Sequence, residues 1–149
     1  DVYKRQPHND ARIRGAFIGL DHATDRDAAT RAVLEGVTFA VRDCFDALAG
    51  TGTEIAHLIA MGGGSKSDYW LSAIATSLGV PVGLPEAGDF GGAFGAARLA
   101  MMAVQGSPDG IATRPRIERT IDPEPQLAPA FAEAHARYKQ TYQALKELS

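Results

Sequence analysis

One cysteine, Cys44, stands in 149 residues, so no internal disulfide is possible, and no Cys/His grouping has zinc-ligand spacing. A reducing compartment and no structural metal are the expectation. Charge of one sign is scarce as well: 15 Lys and Arg stand against 18 Asp and Glu, for a formal net charge of −3. That leaves no polybasic surface for nucleic acid or anionic lipid, and neither is expected as a partner. No apolar run approaches the roughly 20 residues of a bilayer span, and nothing reads as a signal peptide. The cytoplasm is the expected location. What the chain does have is a 45% hydrophobic fraction, enough to bury the core of one domain without staples. One domain's length does not supply the two lobes that usually close around a nucleotide and a second substrate.

Asp1 to Gln6 is polar, lacks an apolar period and ends at Pro7, and it reads as a tail foreign to the rest. Gly15-Ala16-Phe17-Ile18-Gly19-Leu20 suits a buried strand or a tightly packed turn. Thr24 or Asp25 can cap a helix beginning at Arg26, on which Val33, Val37, Ala40, Val41, Cys44, Phe45 and Leu48 form an apolar stripe that stops before Gly50. Burying the larger side chains of that stripe is worth on the order of 10 kcal/mol, so the helix needs a partner surface. Ile55 to Met61 predicts a strand, and the helix after it should bury Trp70 or Leu71, Ile74, Ala75 and Leu78 before Gly79 ends it. Val80-Pro81-Val82 is extended. A second glycine turn, Gly88 to Gly92, opens a helix over 93–104, and its Gly95, Ala96, Ala97 and Ala100 predict close packing against a neighbour. Five of the eight prolines fall in 107–129, which predicts an irregular or extended connector over the surface. A last helix is expected from about 130 to 148, with Phe131, Tyr138, Leu145 and Leu148 inward. Strands alternating with helices indicate an α/β domain.

Gly62-Gly63-Gly64 lies between a predicted strand and a predicted helix. Glycines there let backbone N–H groups approach a ligand, and the helix N-terminus adds partial positive charge, so phosphate or a nucleotide is the natural guest. Both standard phosphate motifs fail on spacing: Lys66 follows Ser65 rather than a glycine, and Ser67 stands where a dinucleotide fingerprint needs a third glycine. The triple glycine by itself is equally a plain tight turn. Asp68 would repel phosphate but suits an adenine amino group or a ribose hydroxyl; alternatively it is a helix-dipole residue with no ligand. Lys66 could reach a phosphate but is read first as a solvated loop lysine, and Trp70 could stack on a base but is read first as packing; Cys44 is read as core and His57 as a packed or exposed strand residue. His22 and Asp21 have no catalytic partner at readable spacing, and no Ser/His/Asp triad is apparent.

At these residues the chain resembles the C-terminal domain of the FGGY carbohydrate kinases, most closely their xylulokinase branch. The resemblance runs from Pro7 to Ser149. Its first element is Gly15 to Leu20 followed by Ala28-Ala29-Thr30-Arg31-Ala32-Val33-Leu34-Glu35-Gly36, in which Ala28 and Ala29 depart from the family's acidic or amide residue and larger aliphatic. The second, Met61 to Trp70, is similar to the family's adenosine motif, and the third, Asp89 to Ala97, to its glycine-alanine turn and helix. Pro7-His8-Asn9-Asp10 and Tyr138 to Leu145 look specifically xylulokinase-like, whereas Asp1 to Gln6 departs from the family's usual Gly-Glu-Arg-Thr lead-in. The resemblance implies an actin-like, ribonuclease H-like ATPase domain, the second lobe of a two-domain sugar kinase. It further implies contacts to ATP from Gly63, Gly64 and Asp68, with magnesium as the accompanying ion. The sugar, D-xylulose by this resemblance and otherwise ribulose, gluconate or glycerol, would be held with the catalytic aspartate by an N-terminal domain absent here. No catalytic residue is therefore expected in this chain, which alone should be inactive, marginally stable or self-associating, with a homodimer one form of that. The rival reading is a non-catalytic actin-like module that binds a partner through the exposed apolar face of the 33–48 helix.

Overall fold

The computed structural model of the chain describes residues 13–86 and 91–147. Asp1 to Gln6, Pro7 to Asp10, Gly88, Asp89, Phe90 and Leu148, on which sequence expectations fell, lie outside them. Asp25 caps the first helix, α1 (Arg26–Ala49), its Oδ1 accepting from the Ala28 N–H at 2.7 Å. A short strand β1 (Leu58–Ile59) leads through a 3-10 turn, Gly63–Lys66, into α2 (Asp68–Leu78). Gly79 ends α2 in the left-handed conformation, φ 70°, that favours glycine. Then follow β2 (Val82–Pro85), α3 (Gly91–Gln105), β3 (Ile117–Ile121) and α4 (Ala128–Glu147).

The three strands form one sheet in the order β1-β2-β3. β1 and β2 are parallel, with Leu58 opposite Val82, and α2 makes the crossover between them. β3 returns antiparallel to β2, with Val82 opposite Ile121 and an irregularity between Leu84 and Pro85. Leu71 and Ala75 of α2 pack on Val82, with Leu58, Ala60, Ile74, Leu84 and Ile121 closing around them. The other side of α2 meets α1, where the Trp70 Nε1–H donates to Thr38 Oγ1 at 3.2 Å. α4 docks on α1 through rings: Phe39 lies 6.2 Å from Phe131 and 5.7 Å from Tyr138 between centroids. In the same seam His135 Nε2 and Asp43 Oδ1 meet at 2.7 Å, nearly enclosed.

Four expectations need correction. Gly15 to Leu20 is neither a strand nor a packed turn: it has no sheet partner among the described residues, and Ile18 is 69% exposed. The apolar stripe of α1 is covered in its middle and open at its ends: Ala40 is buried, together with Thr38 and Phe39 beside it, Val37, Val41, Cys44 and Phe45 are half-buried, and Val33 and Leu48 are exposed. Burial there follows the position of α2 and α4, with Phe39 meeting α4's rings and Thr38 meeting Trp70. α3 buries none of its residues; a Cβ on Gly95 would meet nothing within 4 Å, so its small face has no neighbour among the described residues. The 107–129 stretch contains β3, a strand of mixed polarity that the proline count obscured.

Candidate functional site

The glycine turn sits where β1 ends. Ala60 N–H donates to Gly83 O at 2.9 Å, the last rung between β1 and β2, and the chain then leaves the sheet. Gly62 has φ 84° and ψ −174°, a backbone region that side chains rarely adopt. Its carbonyl accepts from the Ser65 N–H at 3.0 Å and from Ser65 Oγ at 2.7 Å, which closes the 3-10 turn. Ser67 then caps α2, its Oγ accepting from the Trp70 N–H at 3.3 Å.

Gly63 and Gly64 fall in this turn but have different surroundings. A Cβ on Gly63 would stand in open space, whereas one on Gly64 would lie 2.7 Å from Trp70 Cζ3. Gly64 is therefore a packing glycine beneath the indole, and Gly63 is the one whose backbone is open to a ligand. Trp70 packs, as expected, and is held by Thr38 as well. His57 is exposed just before β1, and Cys44 is half-buried on α1.

Beside the turn lies a cleft of about 470 Å³, lined by Ala60, Ser65, Lys66, Leu84, Pro85, Glu118 and Arg119. It opens past the carboxyl ends of the parallel strands β1 and β2, where open α/β sheets commonly place ligands. The backbone N–H groups that start α2 and the ammonium of Lys66 bring positive charge to it. Lys66 is exposed, as a solvated lysine would be, and also lines the cleft.

Asp68 opens α2 beside the cleft; neither it nor Gly63 or Gly64 lines the cleft, but its carboxylate is gripped by Arg119, which does. Arg119 of β3 donates through Nη1 to Asp68 Oδ2 at 3.0 Å and through Nη2 to Oδ1. Hydrogen bonding from Arg119, reinforced by its charge, holds the Asp68 carboxyl below the usual carboxylate range. The structure thus brings Gly63, Gly64 and Asp68 together at one end of α2, with Ser65, Lys66 and Arg119 added. Arg119 was missed because the sequence read its segment as a connector, and the one available signal was the Ile117-Arg119-Ile121 alternation of a strand. Tyr69, next to Asp68, turns away: its hydroxyl donates to Glu35 Oε1 at 2.7 Å, and burial first, then that bond, pushes its phenol up to about 12.

Among the described residues no group of three or more His, Cys, Asp or Glu is placed to hold a metal ion. No helix among them is long and apolar enough to cross a membrane. A larger cleft, about 760 Å³, runs between residues 15–20 and α1, but Thr24 and Tyr138 bring its only side-chain polar groups. It offers little to a charged ligand.

The family model for the FGGY family of carbohydrate kinases, C-terminal domain, matches residues 2–104. A crystal structure described as a xyloylose kinase from Brucella ovis superposes with a TM-score of 0.87 at 58% identity, covering 96% of this chain and 30% of that one. The xylulose kinase of Escherichia coli (strain K12) is 33% identical over 147 residues, 97% of this chain and 30% of its own length. A glycerol kinase from Rippkaea orientalis is 38% identical over 94 residues, 60% of this chain and 19% of that protein. The chain spans about 30% of the length of the first relatives it matches.

Proposed function

The chain belongs to the FGGY family of carbohydrate kinases, whose C-terminal, actin-like lobe it resembles in fold, and from that premise we propose that it is the ATP-binding part of a sugar kinase. The observation that carries this is the glycine turn opening on a charged cleft at the carboxyl ends of β1 and β2. In this reading the N–H groups around Gly63 face the phosphates, Ser65 and Lys66 add a hydroxyl and an ammonium, and Asp68 accepts from the adenosine side. Gly64 contributes indirectly, by letting Trp70 lie flat under the turn.

Transfer of the γ-phosphoryl group depends mainly on positioning and charge stabilisation. This chain's part is to hold the nucleotide still and keep its phosphates beside positive charge. Magnesium bound to those phosphates spreads their charge; such an ion keeps several waters and takes one or two carboxylates, so it needs no protein cage. The sugar, its catalytic base and most sugar contacts lie outside these 149 residues in this reading, and the chain alone has no turnover. D-xylulose, giving D-xylulose 5-phosphate, is the proposed substrate, on the strength of the 58% and 33% identities to xylulose kinases.

Titration of ADP and ATP into the complete gene product tests the first part: no binding at millimolar nucleotide removes the ATP reading. The glycerol kinase likeness favours a second reading for the sugar. ADP release measured with D-xylulose, ribulose, gluconate and glycerol separates the two, and turnover confined to glycerol refutes xylulose.

A further inference from the structure

Arg119 lies beyond the residues matched to the family, 15 positions past the last of them. It nevertheless reaches the first residue of α2, 51 positions earlier, with two donors on two carboxylate oxygens. The fold explains the meeting. Ile121 of β3 and Leu71 of α2 pack in one core cluster, and both elements run in the same direction away from the cleft. Two residues back along the strand is about 6.6 Å, and three residues back along the helix is about 4.5 Å. Those steps bring Arg119 and Asp68 side by side at the cleft.

We infer that Arg119 is a positioning residue for the nucleotide site. Its planar fork fixes the Asp68 carboxylate in one orientation and keeps it ionised, so Asp68 presents only acceptor lone pairs to a ligand. A single exposed aspartate at a helix start turns among its rotamers; one held at both oxygens does not. Each carboxylate oxygen keeps a second lone pair, sufficient for an amino or hydroxyl donor of the adenosine. The other charged groups on the cleft are Lys66 and Glu118, and the negative charge of Glu118 supports the Arg119 cation. This inference rests on the nucleotide reading of the site given above.

The test is ADP titration of the complete gene product carrying Arg119→Ala, Arg119→Lys, Asp68→Asn, or Arg119→Ala with Asp68→Asn, each checked for native circular dichroism. An exposed pair of this kind predicts roughly fivefold weaker binding for Arg119→Ala. Arg119→Lys should restore only part of it, because one ammonium cannot hold both oxygens. With Asp68→Asn present, Arg119→Ala should add no further loss. The acid limb of the binding pH profile should also move upward in Arg119→Ala, a shift that a merely structural arginine would not produce. Unchanged affinity in Arg119→Ala alongside weakened binding in Asp68→Asn overturns the inference and leaves the nucleotide reading standing. Independent, multiplying losses overturn it as well. A wild-type protein that binds no ADP refutes the nucleotide reading itself, and this inference falls with it.

Discussion

Gly63 and Gly64 are neighbours in sequence, yet alanine at each should have opposite effects. A Cβ on Gly64 would stand 2.7 Å from Trp70 Cζ3 and 3.3 Å from Cε3, contacts that real methyl groups do not make. The indole cannot swing aside cheaply, because its Nε1–H is bonded to Thr38 Oγ1 at 3.2 Å. Thr38 cannot follow either: it is fully buried, and its hydroxyl donates to Leu34 O at 2.9 Å. Overpacking of this kind costs about 1–3 kcal/mol, and a lost indole hydrogen bond adds about 0.5–1.5 kcal/mol. Gly64→Ala should therefore lose about 2–4 kcal/mol, a large share of the roughly 5–15 kcal/mol of an ordinary domain. At Gly63 the space is open and φ is not positive, so Gly63→Ala should stay within about 0.5 kcal/mol of wild type. It should lower ADP affinity instead, by placing a methyl group on the ligand side of the turn. Urea unfolding followed by emission of the single tryptophan reads stability and the ring's surroundings together. Gly64→Ala unfolding at the wild-type midpoint with unchanged emission, or equal destabilisation by both alanines, would refute this account of the turn.

Asp43→Ala should cost about 1–3 kcal/mol in the urea midpoint by stranding the enclosed His135 ring, with Asp43→Asn, which retains an oxygen, losing less. In absorbance titration Tyr69 should be the late phenol, near 12, and Glu35→Gln should lower it toward 10. Because the folded value is raised, the stability linked to Tyr69 is complete below pH 10 and is lost as pH rises through about 12. Sedimentation velocity of the 149-residue chain should show concentration-dependent association, since Phe17, Ile18, Leu20, Leu99, Met101 and Val104 are each more than half exposed; a clean monomer with cooperative unfolding would contradict this.

The parts of the fold legible from sequence are those set by neighbours along the chain. Asp25 before α1 and Gly79 after α2 are local capping chemistry and fall at the expected residues, and Ser67 before α2 is capping of the same local kind. β3 was not legible, because its pairing with β2 is decided by residues more than thirty positions away and Pro115 and Pro123 frame it as a loop. The buried face of α1 was not legible for a related reason. Periodicity marks which side of a helix is apolar, but the position of α2 and α4 decides which side is covered. Those helices meet Thr38 and Phe39, beside the stripe, and the stripe's two ends at Val33 and Leu48 are left open.

The same division runs through the candidate site. The order of strand, glycine turn and helix start was readable in the sequence, whereas the choice of Gly63, Gly64 and Asp68 came from the family resemblance. That they act differently was not readable, since Gly64 serves Trp70 and only Gly63 is open, a distinction made by α1 through Thr38. Arg119 was invisible until β3 had a register, because only the pairing of Val82 with Ile121 places residue 119 beside the first turn of α2. Both open surfaces, the groove between α1 and residues 15–20 and the small-residue face of α3, are apolar sequence patterns without a full cover among the described residues. In a chain spanning about 30% of its relatives' length, apolar periodicity that exceeds the observed burial is what a lobe shaped against additional protein would carry. The cleft beside the glycine turn differs from them: the turn, the Ser67 cap and the Asp68–Arg119 pair all lie within the described residues.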